Sequence, residues 1–314
     1  MRTDVAPVPG APAVEFRGVT KMFGGTAALS DASFALEPGR VHALLGPNGS
    51  GKTTAIDILT GGRRADAGEA HAFGHRVVRG GPTAFLVSLM PQAVDFPEYL
   101  TCREVLTLCL AHYPHASDVD EVLRRFDLEP IAGRQTGGLS GGQAKSLALA
   151  CAVGGNTDMV VLDEPSASLD VFGRERVAQV IAEVRDRGGT VLLASHDMQE
   201  VERLADSILC LRRGEVLGRW SVDEFRDMAG YRTLTFATSL PAGRVRELFR
   251  PGGLDPRPDA RVPGRWHVDT DRSDAAARLL LEGTRRPCLT IAQPGISEVF
   301  ERIVSAGERA GVGG

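Results

Sequence analysis

Cysteine is scarce and unpatterned in this chain. Cys102, Cys109, Cys151, Cys210 and Cys288 are the only five, and no two stand in C-x-x-C spacing. That excludes a zinc ribbon or a dithiol redox motif and leaves reduced thiols as the expected state. No apolar run reaches the roughly 18 residues that a spanning helix requires. No basic-then-apolar leader opens the sequence either, so the chain is expected neither to cross a membrane nor to enter the secretory route, and any membrane role must pass through a partner. A basic excess is missing too. The formal net charge of −4 argues against a nucleic-acid scaffold, because binding a phosphate backbone needs a positive field.

What is present is an ordinary globular composition. The 314 residues are 43% hydrophobic and 24% charged, enough for one large domain with a sizeable core and a smaller one beside it. The chain is organised around Gly46-Pro47-Asn48-Gly49-Ser50-Gly51-Lys52-Thr53-Thr54. This run fits G-x-x-x-x-G-K-[ST] and follows the apolar, strand-like Val41-His42-Ala43-Leu44-Leu45. It is a Walker A phosphate loop. Its glycines let backbone N–H groups and the positive end of the following helix converge on an anion. Lys52 reaches the β- and γ-phosphates, and the Thr53 hydroxyl is a ligand for Mg²⁺. The chain is therefore expected to bind a nucleoside triphosphate.

Residues 1–12, rich in Pro and Ala and without periodicity, read as a disordered lead-in. Val14 to Val19 and Ala32 to Leu36 read as strands of an antiparallel β-layer. Phe23, between them, either stacks on a purine ring, a contact worth ~1 kcal/mol, or packs in the core. The loop helix stops at Gly61-Gly62, and a strand is expected from Ala84 to Met90, running into Pro91-Gln92. Helices then take over. Thr101-Cys102-Arg103-Glu104 is a capping box, and Ser117 to Asp120 opens a second helix.

Ser140-Gly141-Gly142-Gln143 is another box, at the head of a helix from Ala144 to Val153, and its glycines leave backbone donors bare at a helix N-terminus. Met159 to Leu162 is a buried parallel strand ending in Asp163-Glu164-Pro165. Two carboxylates at a strand tip are costly to bury without a use. Asp163 suits a Mg²⁺ shell, and Glu164 is placed to polarise a water. A further strand, Thr190 to Ala194, delivers Ser195-His196-Asp197, where catalytic loops of parallel sheets lie.

The phosphate loop, Gln92, Leu139 to Gln143, Asp163-Glu164 and His196, in this order and spacing, resemble the ATPase subunit of an ABC transporter over about Val14 to Arg219. The resemblance implies a RecA-like phosphate-loop α/β core with an antiparallel β-layer and a helical insertion. It implies ATP and Mg²⁺ as ligands, with Phe23 on the adenine and Gln92 on Mg²⁺. Ser140, Gly141 and Gly142, with Gln143 closing the box, would bind the γ-phosphate held by an opposite monomer. Glu164 would be the general base, His196 a second contact to γ-phosphate and water, and Asp170 a dimer-interface group. Two features depart from the family pattern: Ser168 stands where glycine is usual before Leu-Asp, and Ala144-Lys145-Ser146 replaces frequent basic residues.

The organisation expected is thus a lead-in at 1–12, an ATPase domain at 13–225 with its helical insertion at about 94–155, and a small α+β domain at 226–314. That last part resembles the C-terminal domain of drug- and lipid-type exporter ATPases. The implied partners are a hydrophobic membrane permease and a second, identical ATPase subunit, without nucleic acid. The implied location is the cytoplasmic face of the cell membrane. Import is the alternative direction. A soluble ABC ATPase acting on ribosomes or DNA fits less well, since the chain has a single cassette and no heptad repeats. Phe96-Pro97-Glu98-Tyr99-Leu100 either packs in the core or, by resemblance, lines the groove that receives a permease helix.

Overall fold

The computed structural model describes residues 5–284 and 288–310. Residues 1–4 of the expected lead-in, and 285–287 and 311–314 of the expected C-terminal domain, lie outside it. The chain forms two compact units, 1–220 and 221–314.

In the first unit, β1 (Val14–Phe23) and β2 (Thr26–Leu36) form a hairpin. β3 (Val41–Leu45) leads into α1 (Lys52–Leu59), and β4 (Ala67–Ala72) with β5 (His75–Arg76) returns to the hairpin. β6 (Val87–Met90) then precedes the insertion, which holds α2 (Cys102–Leu110), α3 (Val119–Arg125) and α4 (Gly141–Gly154). β7 (Met159–Asp163), α5 (Val171–Asp186), β8 (Thr190–Ala194), α6 (Met198–Leu204), β9 (Ser207–Arg212) and β10 (Glu215–Ser221) complete the unit.

Two sheets result, one ordered β2-β1-β4-β5 and the other β10-β9-β3-β8-β7-β6. The larger carries the parallel pairs β9/β3, β3/β8, β8/β7 and β7/β6. Every residue of β3, β7 and β8 is buried, as expected of strands covered on both faces. Because strand side chains alternate, Val160 and Leu162 enter a core shared with α2, α3, α4 and α5. Met159 and Val161 enter a second core shared with α1 and the antiparallel sheet. The α/β core, β-layer and helical insertion are those expected from the sequence.

Local expectations are corrected in places. Ala84 to Met90 is not one strand: Pro82–Phe85 forms a 3₁₀ turn in which Leu86 N–H donates to Thr83 O at 3.1 Å, and only Val87–Met90 is extended. Pro82, at the start of that turn, pre-sets its φ. The β4–β5 hairpin was not legible, because Ala67-Gly68-Glu69-Ala70-His71-Ala72 has no β-branched residue. In the lead-in, described residues follow a fixed path along that hairpin. Val8 N–H donates to Phe73 O at 3.0 Å, and the His75 ring lies 2.9 Å from Ala6 O. Their Pro-rich composition conceals this edge contact from sequence reasoning.

The second unit begins at Ser221 rather than at 226, because α7 (Val222–Asp227), opened by a capping box between Ser221 and Glu224, packs on α10 (Ile296–Ala310) of the same unit. Here β11 (Arg232–Ala237), α8 (Ala242–Phe249), β12 (Arg257–Pro258), β13 (Arg265–Thr270), α9 (Ser273–Gly283) and β14 (Cys288–Ala292) build an antiparallel sheet of order β12-β13-β11-β14. Leu234, Phe236, Trp266 and Val268 pack beneath Val245, Phe249, Ala276 and Leu280 of the two helices.

One buried polar group ties β3 to its surroundings. His42 is fully buried; its Nε2–H donates to the Glu37 carbonyl at 2.8 Å, and its Nδ1 is 2.7 Å from the Ser207 hydroxyl. Burial pushes its pKa below 6.5, against the pull of that carbonyl and of nearby acids. A depressed folded-state pKa adds stability that is complete above pH 6.5 and is lost as the pH falls through the ring's own lower value. In an NMR titration the His42 ring should therefore stay neutral below pH 6.5, and titration at or above 6.5 would refute the assignment.

Candidate active site

The loop from Gly46 to Thr54 leaves the C-terminal end of β3, and Asp163-Glu164 and His196 leave the same edge on β7 and β8. Parallel pairing alone brings these three sequence-distant segments together. A cleft of about 250 Å³ is lined there by Phe23, Asn48, Gly49, Ser50, Gly51, Lys52, Thr53, Thr54, Gln92, Asp163 and Glu164, together with Ala28 of β2. Ala28 carries no motif and could not have been named from the sequence.

The glycines divide their roles. Gly51 caps α1 at φ 106°, and a Cβ there would meet Ala28 O at 2.4 Å, so only glycine fits. Gly46 and Pro47 do not line the cleft. A Cβ on Gly46 would meet Leu211 O at 2.4 Å, and the carbonyls of Gly46 and Pro47 accept from Lys52 Nζ at 2.6 and 3.3 Å. They position the lysine and close the turn. Burial lowers the Lys52 pKa, while the facing carboxylates of Glu164 and Asp163 raise it.

Asp163 is 6% exposed. Burial and the adjacent negative Glu164 push its pKa up to about 6, against the pull of Lys52. Among the described residues no hydrogen-bond donor reaches its carboxylate, and Thr53 and Gln92 line the same cleft. That donor set fits Mg²⁺, which takes one or two carboxylates and leaves its other positions to water and phosphate oxygens. Among the described residues no cluster of three His, Cys, Asp or Glu competes for a transition metal.

Glu164 is 8% exposed and sits at φ 54°, where its N–H still donates to Ala194 O at 2.8 Å. A non-glycine residue held there stores about 1–2 kcal/mol of strain. The kink turns the carboxylate toward His196, whose Nδ1–H donates to Oε2 at 2.6 Å. The His196 side chain is otherwise 77% exposed, leaving Nε2 open. Ser168, in the place usual for glycine, is also left-handed at φ 63°.

Phe23 ends β1 and is 42% exposed, so it does not pack in the core. The Arg63 guanidinium stands 4.8 Å from its ring centroid and Lys21 Nζ 5.7 Å. Ser140 caps α4, and its box closes through Gln143. Ser140, Gly141 and Gly142 are exposed, nothing lies within 4 Å of where a Cβ on either glycine would stand, and none of the three lines the Lys52 cleft. One chain therefore does not unite them with its own phosphate loop. Asp170 caps α5, accepting from Gly173 N–H at 2.8 Å, and is also outside the cleft.

Two residues near the reacting groups were missed. Glu200 accepts hydrogen bonds from the hydroxyls of Ser166 and Ser195, tying the segments after β7 and β8 together, and Lys145 donates to the carbonyls of Glu164 and Ala167. The Asp197-x-x-Glu200 spacing signals a helix start, but not that its glutamate points elsewhere.

A phosphate loop, a facing carboxylate pair and a histidine held on the second carboxylate are the family's constellation, and the family model for ABC transporters matches residues 29–167. A zinc import ATP-binding protein from Rickettsia prowazekii is 33% identical over 64% of this chain and 83% of its own length. The chain belongs to the ABC transporter ATPases. A Nod factor export ATP-binding protein I from Burkholderia lata is 34% identical over 66% of the chain and 70% of its length. The dimeric MJ0796 cassette, solved with ADP and Pi, shares the fold at TM-score 0.60 and 24% identity, over 66% of this chain and 98% of that one. The protein is thus an ATP-hydrolysing cassette of that family. Among its described residues no helix is long and apolar enough to cross a membrane.

Proposed function

We propose that this cassette hydrolyses MgATP at a site shared between two copies and powers export through a separate permease. The observation that carries the hydrolytic part is the Glu164 carboxylate, aimed by His196 at the tip of β7 and facing Lys52 across the cleft. Glu164 takes a proton from water as the water oxygen attacks the γ-phosphorus. The bond to the bridging oxygen breaks, and Lys52 offsets the charge left on the phosphates. Thr53, Gln92 and Asp163 would hold Mg²⁺, which when bound would supply electrostatic stabilisation to the phosphate oxygens. His196 orients the base and offers Nε2 to the γ-phosphate. Phe23 carries the adenine. The exposed Ser140-Gly141-Gly142 head of α4 serves the γ-phosphate of the second copy, since it does not line the cleft of its own loop, and Asp170 is assigned to the same dimer interface.

Export is supported by the exporting relative and by the additional α+β unit after Ser221. The zinc-importing relative favours the second reading, import. Docking is assigned to the junction before α2. Phe96 and Leu100 pack against the helical core, whereas Tyr99 is 73% exposed, an aromatic anchor free for a permease helix.

Everted membrane vesicles carrying the permease should bind the cassette and accumulate cargo when MgATP is added. Accumulation only in right-side-out vesicles loaded with the cassette and MgATP would establish import. Tyr99→Ala should weaken vesicle binding by ~1–2 kcal/mol, the size of a modest hot spot, with an unchanged melt. Undiminished binding would remove Tyr99 from the interface.

A further inference from the structure

The segment from Glu164 to Ser168 is bounded by two left-handed non-glycine residues, Glu164 at φ 54° and Ser168 at φ 63°. Such a conformation persists only where its surroundings over-determine it. Three restraints come from three elements. From β8, Ala194 O accepts the Glu164 N–H at 2.8 Å. From α6, Glu200 accepts the Ser166 hydroxyl, and it also accepts that of Ser195 at 2.7 Å. From α4, in the helical insertion, Lys145 Nζ donates to Glu164 O at 3.4 Å and to Ala167 O.

The lysine restraint differs in kind. Lys145 is partly buried, and desolvation lowers its pKa while Glu164 and Glu200 pull it upward. Its ammonium spends two of its three donors on the carbonyls of the strained turn. It also lies little more than one helical turn beyond Ser140, on the helix whose head meets the nucleotide of the second copy in the reading proposed above. The side chain is thus the direct link between that head and the turn that aims the base.

We infer that Lys145 is a positioning residue for hydrolysis: by holding the Glu164 and Ala167 carbonyls from the signature helix, it fixes the aim of the Glu164 carboxylate in its own chain. The inference rests on Glu164 as the base and Ser140 as a contact to the other copy. Removing the ammonium frees the turn to swing the carboxylate off the attacking water, while the phosphate loop, and hence ground-state binding, is untouched. Misplaced catalytic groups lose turnover before they lose affinity.

Lys145→Met keeps the length and removes the donors. It should lower kcat by about tenfold with KM for MgATP within about twofold, leave the melt in place, and be rescued by Lys145→Arg. In mixed dimers with one working site, Lys145→Met should lower turnover when it sits on the chain that supplies Glu164. It should have no effect on the chain that supplies only Ser140. A kcat near that of the parent, a loss not rescued by arginine, or an effect confined to the Ser140 chain would each overturn the assignment. A fully active Glu164→Gln protein would instead remove the base beneath it, so the two failures are told apart by running both variants.

Discussion

Glu164→Gln should bind MgATP about as tightly as the parent while steady-state turnover falls by about 10²-fold or more, the loss expected when a general base is removed. The substitution is nearly isosteric at a residue that is 8% exposed, and its amide oxygen can still accept the His196 Nδ1–H. The geometry of the kink therefore survives while the ability to take a proton from water does not. The same change removes the negative neighbour that helps hold the Asp163 pKa near 6. Asp163 should then ionise more readily, so nucleotide and metal binding are preserved or strengthened. Phosphate release under multiple turnover, measured beside equilibrium binding of a fluorescent ATP analogue, separates the two effects. Turnover within about threefold of the parent would show that Glu164 is not the base.

Mixing two inactive proteins should restore activity. Lys52→Ala removes the ammonium that faces the phosphates, and Ser140→Arg fills the head of α4 with a bulky side chain. Each homodimer then has two broken sites. In a heterodimer, both lesions fall in one site, and the other unites an intact Lys52 and Glu164 with an intact Ser140. If chains pair at random in a symmetric dimer, half the dimers are mixed and each has one working site. Recovery of about a quarter of the parent rate follows from that count. The expectation comes from the placement of Ser140, Gly141 and Gly142 on an exposed helix head outside the cleft that holds Lys52. A mixture as inactive as its parents, with heterodimers demonstrated by a tagged pull-down, would exclude the shared site.

The residues assigned to phosphate and metal are legible in order along the chain, because their chemistry constrains local sequence. A loop that wraps an anion needs glycine at the left-handed Gly49 and Gly51 and a lysine at the first helical position. A strand buried on both faces, Met159–Asp163, reads as unbroken hydrophobicity ending in acids. Capping boxes at Thr101 and Ser140 likewise depend on residues three apart, and both closed as expected.

What the sequence left open depended on contacts between distant segments. Phe23 could stack or pack until the β1–β2 hairpin, turning through the left-handed Gly24 and Gly25, held it at the edge with Arg63 over its ring. Tyr99 and Phe96 belong to one apolar stretch, yet one faces solvent and the other the core. The β4–β5 hairpin carries too little β-branched character to announce itself and forms because β1 pairs with it from far upstream. Lys145 and Glu200 have no motif. Their partners are backbone carbonyls and serine hydroxyls on other elements, groups that nearly every residue can offer and that no spacing marks, so only the packing of α4 and α6 against the strand ends could select them.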